Sequence, residues 1–162
     1  MRAVVAALLA LALLGCGRGE ESSATANGAT AAAVRVVPVT IAGPGGRHVF
    51  QAEVADTVAA QERGLMYRTG LKPDFAMLFA PYPPAGGAPQ AANFWMKNTP
   101  TPLDIVFIRA DGTIAHIAEN TIPFSETMIP SGEPIAAVLE LVGGRAAETG
   151  VSEGDKVSWP GR

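Results

Sequence analysis

Glycine and proline punctuate this chain so closely that no long helix fits between them. Of 162 residues, 18 are glycine and 13 proline, and they separate short apolar runs rich in Val, Ile, Leu and Phe. Short apolar runs bounded by turn residues read as strands. Residues 34–41 and 48–55 are two such strands, with the turn signal GPGG (43–46) between them. FAMLF (75–79) is a continuous apolar strand. Further strands follow at 94–98, 103–108 and 113–118, then the run IAAVLELV (135–142) and a closing KVSW (156–159). Asp56-Thr57 offers an N-cap for a short helix over VAAQERGLMYR, ending near Gly64. Ala60 stands where a capping box would need Glu, so the cap is single-sided. GGRAAETGVSEGD (143–155) reads as a turn, one helical turn and a second turn. PYPPAGGAPQAAN (81–93), with four prolines, reads as a long loop and an unfavourable home for a strand, and residues 120–134 read as a Pro-containing connection. No internal repeat is present. The pattern predicts a mainly β fold, a compact antiparallel sandwich or small barrel with one or two short helices.

The first residues are read separately. MRAVVAALLALALLGCGRGE carries one basic residue, Arg2, and then an unbroken apolar run from Ala3 to Leu14. The run is shorter than the roughly 20 residues that cross a bilayer, and it suits an export signal. It ends in Leu13-Leu14-Gly15-Cys16, which resembles the lipobox of bacterial lipoproteins, in which the cysteine is acylated and becomes the mature N-terminus. The other reading is an ordinary secretory signal with an incidental cysteine. Residues 17–33 are small and polar and lack large apolar side chains, so they read as a tether reaching about 20–25 Å. The expected organisation is a lipoprotein signal peptide at 1–15, a lipidated Cys16 with its tether at 16–33, and one β-rich domain at 34–162. The protein would be anchored to a bacterial envelope membrane and face the periplasm. By analogy with lipoprotein sorting, the absence of Asp just after Cys16 leans towards the outer membrane.

Charge and residue usage exclude several functions. The net charge is −3 and there is no Lys/Arg cluster, which disfavours nucleic-acid binding. Cys16 is the only cysteine, so there is no intramolecular disulfide and no cysteine-ligated metal site. Met66, Met77, Met96 and Met128, with His48 and His116, are Cu(I)-type ligands outside the cytoplasm. They lie in separate elements without a repeated spacing, however, and read as core packing. No G-x-S-x-G, H-E-x-x-H or phosphate loop occurs, and Ser125 and Ser131 have no nucleophile context. No metal and no cofactor is expected.

FWMKNTPTPLDIVFI (94–108) holds the most pointed question, a lysine and a carboxylate in apolar surroundings. The two X-Pro steps of Thr99-Pro100-Thr101-Pro102 forbid a helix through the corner. A four-residue hairpin loop there would set Lys97 opposite Asp104 and Trp95 opposite Val106. Phe94, Met96, Leu103, Ile105 and Phe107 would then face the core, with Trp95, Lys97, Asp104, Val106 and Ile108 on the other side. Two accounts stand. In one, Lys97 and Asp104 neutralise each other beneath a loop. In the other, loop 81–93 arches over that side and leaves a groove, with Trp95 as an apolar platform and Lys97, Asn98 and Asp104 fixing a polar ligand.

His116 joins that side if residues 110–112 form a three-residue loop with Gly112 left-handed, and falls on the core side if the turn has two residues. The three-residue loop is preferred, because it keeps the histidine out of the Phe/Met core. Glu140, a carboxylate inside AAVLELV, is a further candidate that could pair with Asp104 as an acid/base couple.

ADT (55–57), GLMYR (64–68), MLF (77–79), FWMKNT (94–99), PLDIVFI (102–108), DGTI (111–114), SGEP (131–134), VLEL (138–141) and GVSEGDKV (150–157), in this order, resemble the DUF192 family over about residues 49–159. The chain departs from the family in the helix, where an early Glu-Arg pair is usual and Ala60-Gln61 stands here, and in a longer PYPPAGGAPQ insertion. The resemblance implies a sandwich-like all-β domain, often exported and sometimes lipid-anchored. It implies no reaction, cofactor or catalytic residue. Three functions are therefore expected in order: a lipid-anchored binding module for a small polar or saccharide-like ligand; a hydrolase using Asp104 with Glu140 or His116; and an envelope protein-interaction scaffold.

Overall fold

The structure, a computed structural model, describes residues 34–162. The expected signal peptide, Cys16 and tether lie outside the described residues. Nine strands and two short helices alternate with turns: β1 (Val36–Gly43), β2 (Gly46–Ala55), α1 (Val58–Arg63), β3 (Phe75–Phe79), β4 (Gln90–Phe94), β5 (Leu103–Ile108), β6 (Ile114–Ala118), β7 (Ile129–Ile135), β8 (Ala137–Val142), α2 (Arg145–Thr149) and β9 (Lys156–Ser158). Seven strands form one sheet in the order β6-β5-β8-β3-β2-β1-β9, and β4 pairs with β7 in a second, two-stranded sheet. The ends of the large sheet meet. Thr113 bridges Lys156, Ile114 N donates to Asp155 O at 2.9 Å, and Val157 N donates to Gly112 O at 2.8 Å. The sheet is thus a nearly closed barrel, and the mainly β expectation is met.

The apolar runs that the sequence displays most plainly are the strands with cover on both faces. β8 lies between β3 and β5, antiparallel to each. Alternate residues point into the barrel, where Leu78, Val106, Ile108, Leu139 and Leu141 meet Val37, Val39, Ile41 and Phe50. The other residues of the same strands point outward. Met77, Phe79, Leu103, Ile105, Phe107 and Val138 form a second core with Leu65, Ala92, Met96 and Ile135. Burial on both sides leaves no position for the polar alternation of a half-exposed strand. Each large side chain so buried stabilises the fold by about 1.5–3 kcal/mol.

Pairing is antiparallel throughout the named strands except between β2 and β3, which are parallel. The reason is the connection. α1 and its flanks lie between β2 and β3, and a crossover of that kind returns the chain in the same direction. α1 begins as expected, with Thr57 Oγ1 accepting from Ala60 N at 3.2 Å, and ends at Gly64 with φ +48.

Two expectations are corrected. Residues 94–98 form no strand beyond Phe94, and no hairpin joins them to 103–108, because β5 takes β6 and β8 as its partners. In their place β4 starts inside the predicted loop 81–93, and β7 starts inside the predicted connection 120–134 and ends at Ile135. These two pair only with each other, so each keeps a free edge, where Pro130 and Pro134 cost no ladder bond. No helix among the described residues is long and apolar enough to cross a membrane.

Candidate functional site

Asp104 is fully buried at the end of the barrel interior. Its Oδ1 accepts from Asn120 N at 2.7 Å and Gly144 N at 2.9 Å, and its Oδ2 accepts from Ala146 N at 2.8 Å. The carboxyl thus ties the 119–121 segment to the turn after β8 and to the first residues of α2. It has no contact with Lys97, which extends instead over the Trp95 ring at 5.0 Å and lies 3.8 Å from Glu126. The expected Lys97–Asp104 pair does not form. Period-two alternation also separates Asp104 from Glu140. Glu140 stands beside Ile105 across the β5–β8 ladder and faces outward with it, whereas Asp104 faces inward. The two carboxyls are on opposite faces of the sheet, so the acid/base couple is absent.

His116 shows how one residue overturns a register. The loop is the expected one, with Arg109 N donating to Thr113 O and Gly112 at φ +90. A bulge then follows between Phe107 and Ile108, so His116 pairs with Phe107 rather than Val106. Its ring stacks on Phe107 at 6.0 Å, and Nδ1 is 2.8 Å from Glu153 on the exposed edge. It lies apart from Trp95, Lys97 and Glu140. Asn98 sits at a turn with φ +54, a conformation asparagine tolerates better than most residues, and its Nδ2 reaches Met66 Sδ at 3.9 Å.

The structure does bring Trp95, Lys97 and Glu140 together, around a cleft of about 860 Å3. α1 and the GLMYR segment form one wall. Tyr82 and Pro84 from the proline loop, with Asn93 and Phe94 of β4, form another. Tyr67 N donates to Asn98 O at 2.8 Å and so fastens GLMYR to FWMKNT. Phe94 packs edge-on against Phe79 at 5.3 Å and lies 6.0 Å from Tyr82, which gives the cleft an aromatic lining. Two backbone conformations, one next to Met66 in the chain and one bonded to Thr99, are unusual. Tyr67 (φ +64) and Phe124 (φ +58) are bulky side chains in the left-handed region, and both are exposed. Such strain persists where surrounding bonds impose it, and here Phe124 N donates to Thr99 O.

Glu140 is 5% exposed, and its Oε2 has no hydrogen-bond partner. Burial alone pushes its pKa up to about 8, so the carboxyl is protonated at neutral pH. Gln61, from α1, lines the same cleft. Its Nε2 donates to Ala55 O at 2.9 Å and to Pro81 O at 2.8 Å, while its Oε1 is buried without a partner. Among the described residues three buried side-chain polar atoms lack a partner, and two of them belong to this cleft. Native interiors satisfy most such atoms, so the presence of both in one lining makes this cleft the candidate ligand site. No cluster of three or more His, Cys, Asp or Glu able to hold a metal occurs among the described residues.

Gln61 and the aromatic lining were not singled out as site residues from the sequence. Glu140 stood out as a charge in an apolar run. Gln61 stood out only as a departure from the usual Glu-Arg pair, and its place in the same cleft as Glu140 depends on long-range packing that no spacing encodes.

The DUF192 family, described as an uncharacterized ACR, matches residues 39–159. A crystal structure of a protein of unknown function from Novosphingobium aromaticivorans DSM 12444 is 45% identical. It covers 80% of this chain and 89% of that one, with a TM-score of 0.74. A Sinorhizobium meliloti 1021 protein, provisionally named a transcription regulator, is 40% identical over 80% of this chain and 97% of its own, with a TM-score of 0.73. No curated protein matches the chain at a significant level.

Proposed function

We propose, for a chain that belongs to the DUF192 family, a function founded on its cleft: a lipid-anchored envelope protein that binds a small polar or saccharide-like ligand between α1, β4 and the floor residue Glu140. The observation that carries this reading is Glu140 itself, a buried carboxyl with an unpartnered oxygen in an aromatic-lined cleft of small-molecule size. Trp95 supplies a flat apolar face at the rim and is 39% exposed. Lys97, Glu62 and Arg63 place charges around the opening. The regulator name borne by the Sinorhizobium protein is not carried over, because this chain has a net charge of −3 and no basic cluster.

A thermal-shift screen of saccharides and small polar metabolites tests the reading, since a ligand of the native state raises its melting temperature. A compound that stabilises the wild type and loses most of that effect on Trp95→Ala is the expected result. A library without a hit, or hits indifferent to Trp95→Ala, would remove the proposal. The anchor is tested separately. Mass spectrometry of membrane-extracted protein should find a mature chain beginning at acylated Cys16, and an unmodified chain in the soluble fraction would refute it.

A second reading has its own support. Tyr67, Ile122, Phe124 and Met128 are large apolar side chains, each more than half exposed, and such groups mark an interaction surface where they form one contiguous patch. An envelope partner docking there would lose affinity for Tyr67→Ser/Phe124→Ser, while the small-ligand melting shift would persist.

A further inference from the structure

We propose that Glu140 and Gln61 act as a matched pair that reads one uncharged polar group of the ligand, a hydroxyl or an amide, and turns away a carboxylate at that position. The inference rests on the binding function proposed above and specifies the chemistry of that same site.

Gln61 fixes one half. Both hydrogens of its Nε2 are spent on Ala55 O and Pro81 O, so the amide cannot flip without losing two bonds. Its Oε1 is left as an acceptor only, buried and unanswered. Glu140 fixes the other half. Its neighbours across the ladders are Met77 and Ile105, which bring no charge. The titratable side chains that line the cleft are Glu62 and Arg63 from α1, Tyr82 from the proline loop and Lys97 from the turn after β4. None of them bonds Glu140, and nothing offsets its burial. The protonated carboxyl offers an O–H. Glu140 Oε2 and Gln61 Oε1 do not satisfy each other, since both remain unpartnered.

The cleft therefore presents one donor and one acceptor from separate walls. A hydroxyl or an amide accepts from Glu140 and donates to Gln61, so both buried groups are answered. A ligand carboxylate accepts but cannot donate, and it brings a buried charge with no cation bonded at the floor. An ammonium donates to Gln61 Oε1 and pairs with Glu140 only once that carboxyl has lost its proton, so its binding releases a proton where that of a neutral group does not.

Four sugars of one frame separate these cases: glucose, N-acetylglucosamine, glucuronate and glucosamine. Their binding to the full chain is followed by saturation-transfer NMR at about pH 6.5 and about pH 9.5, across the Glu140 transition. The expected result is binding of glucose, N-acetylglucosamine or both at the lower pH, with glucuronate about tenfold weaker or absent, as the loss of one buried hydrogen bond requires. Affinity for the neutral sugars should fall roughly tenfold or more at the higher pH, where Glu140 ionises. Glu140→Gln keeps a donor that does not titrate, so its affinity should be the same at both pH values. Preference for N-acetylglucosamine over glucose would assign the amide as the group read, and parity would assign the hydroxyl. Equal binding of all four sugars, or a wild-type affinity flat with pH, overturns the pairing while leaving the cleft a binding site. Absence of binding by all four at both pH values overturns the pairing and the saccharide reading together.

Discussion

Asp104 and Glu140 are carboxyls buried in adjacent strands, and their surroundings treat them in opposite ways. Asp104 receives three backbone N–H groups. Glu140 has an oxygen without any partner. Removing the first strands three donors, so Asp104→Ala should cost about 3–4 kcal/mol in urea unfolding, with little change in the cleft. Changing the second should do the reverse. The folded-state pKa of Glu140, about 8, lies above the ordinary value of 4.5. As pH rises the unfolded chain therefore loses this proton first, and stability falls from about pH 4.5 to about pH 8 before levelling off. Glu140→Gln should abolish that fall and gain on the order of 2–4 kcal/mol near pH 9, read by denaturation across the range. Both carboxyls were visible in the sequence as charges within apolar runs. Which one faces the barrel and which the cleft was not, because a strand's facing depends on partners chosen far along the chain.

At the scale of elements, the sequence displayed the strands made of apolar or alternating runs and hid two that carry neither. FAMLF and LDIVFI became β3 and β5 with the predicted bounds. β4 and β7 went unseen because their residues carry the signals of loops: Gln, Ala and Asn in one, Pro-Ser-Gly-Glu-Pro in the other. Only their mutual pairing and the cover they give to the outer core make them strands. The turns between elements are more exacting than their composition suggests. A Cβ at Gly143 would lie 2.9 Å from the carbonyl of Pro102, so Gly143→Ala should destabilise by about 2 kcal/mol or more, as crowding against backbone does. Phe124 is the converse case. It is exposed and holds a left-handed backbone, so Phe124→Gly should be neutral or stabilising by about 1 kcal/mol in thermal unfolding, against the usual direction for loss of a large apolar side chain.

Across the whole molecule, closure and the cleft share one origin. The strands β3, β8 and β5 lie at the centre of a sheet whose ends, β6 and β9, meet through Thr113 and Lys156. Because the barrel is filled from within, the outer faces of those strands need separate cover. The β4–β7 ribbon and the segments around Leu65 and Met96 supply it. The cleft opens where this cover meets α1, with Glu140 beneath. Fold class could be read from the spacing of turns, whereas two of the nine strands, the closing of the sheet and the meeting of α1 and β8 at one cleft could not. The central claim is that this cleft has an uncharged carboxyl at its floor. Carbon-13 NMR titration of the Glu140 side-chain carboxyl in the free protein tests it most directly. The account predicts a midpoint near 8, displaced further upward when a neutral ligand occupies the cleft, and a midpoint near the ordinary 4.5 would contradict it.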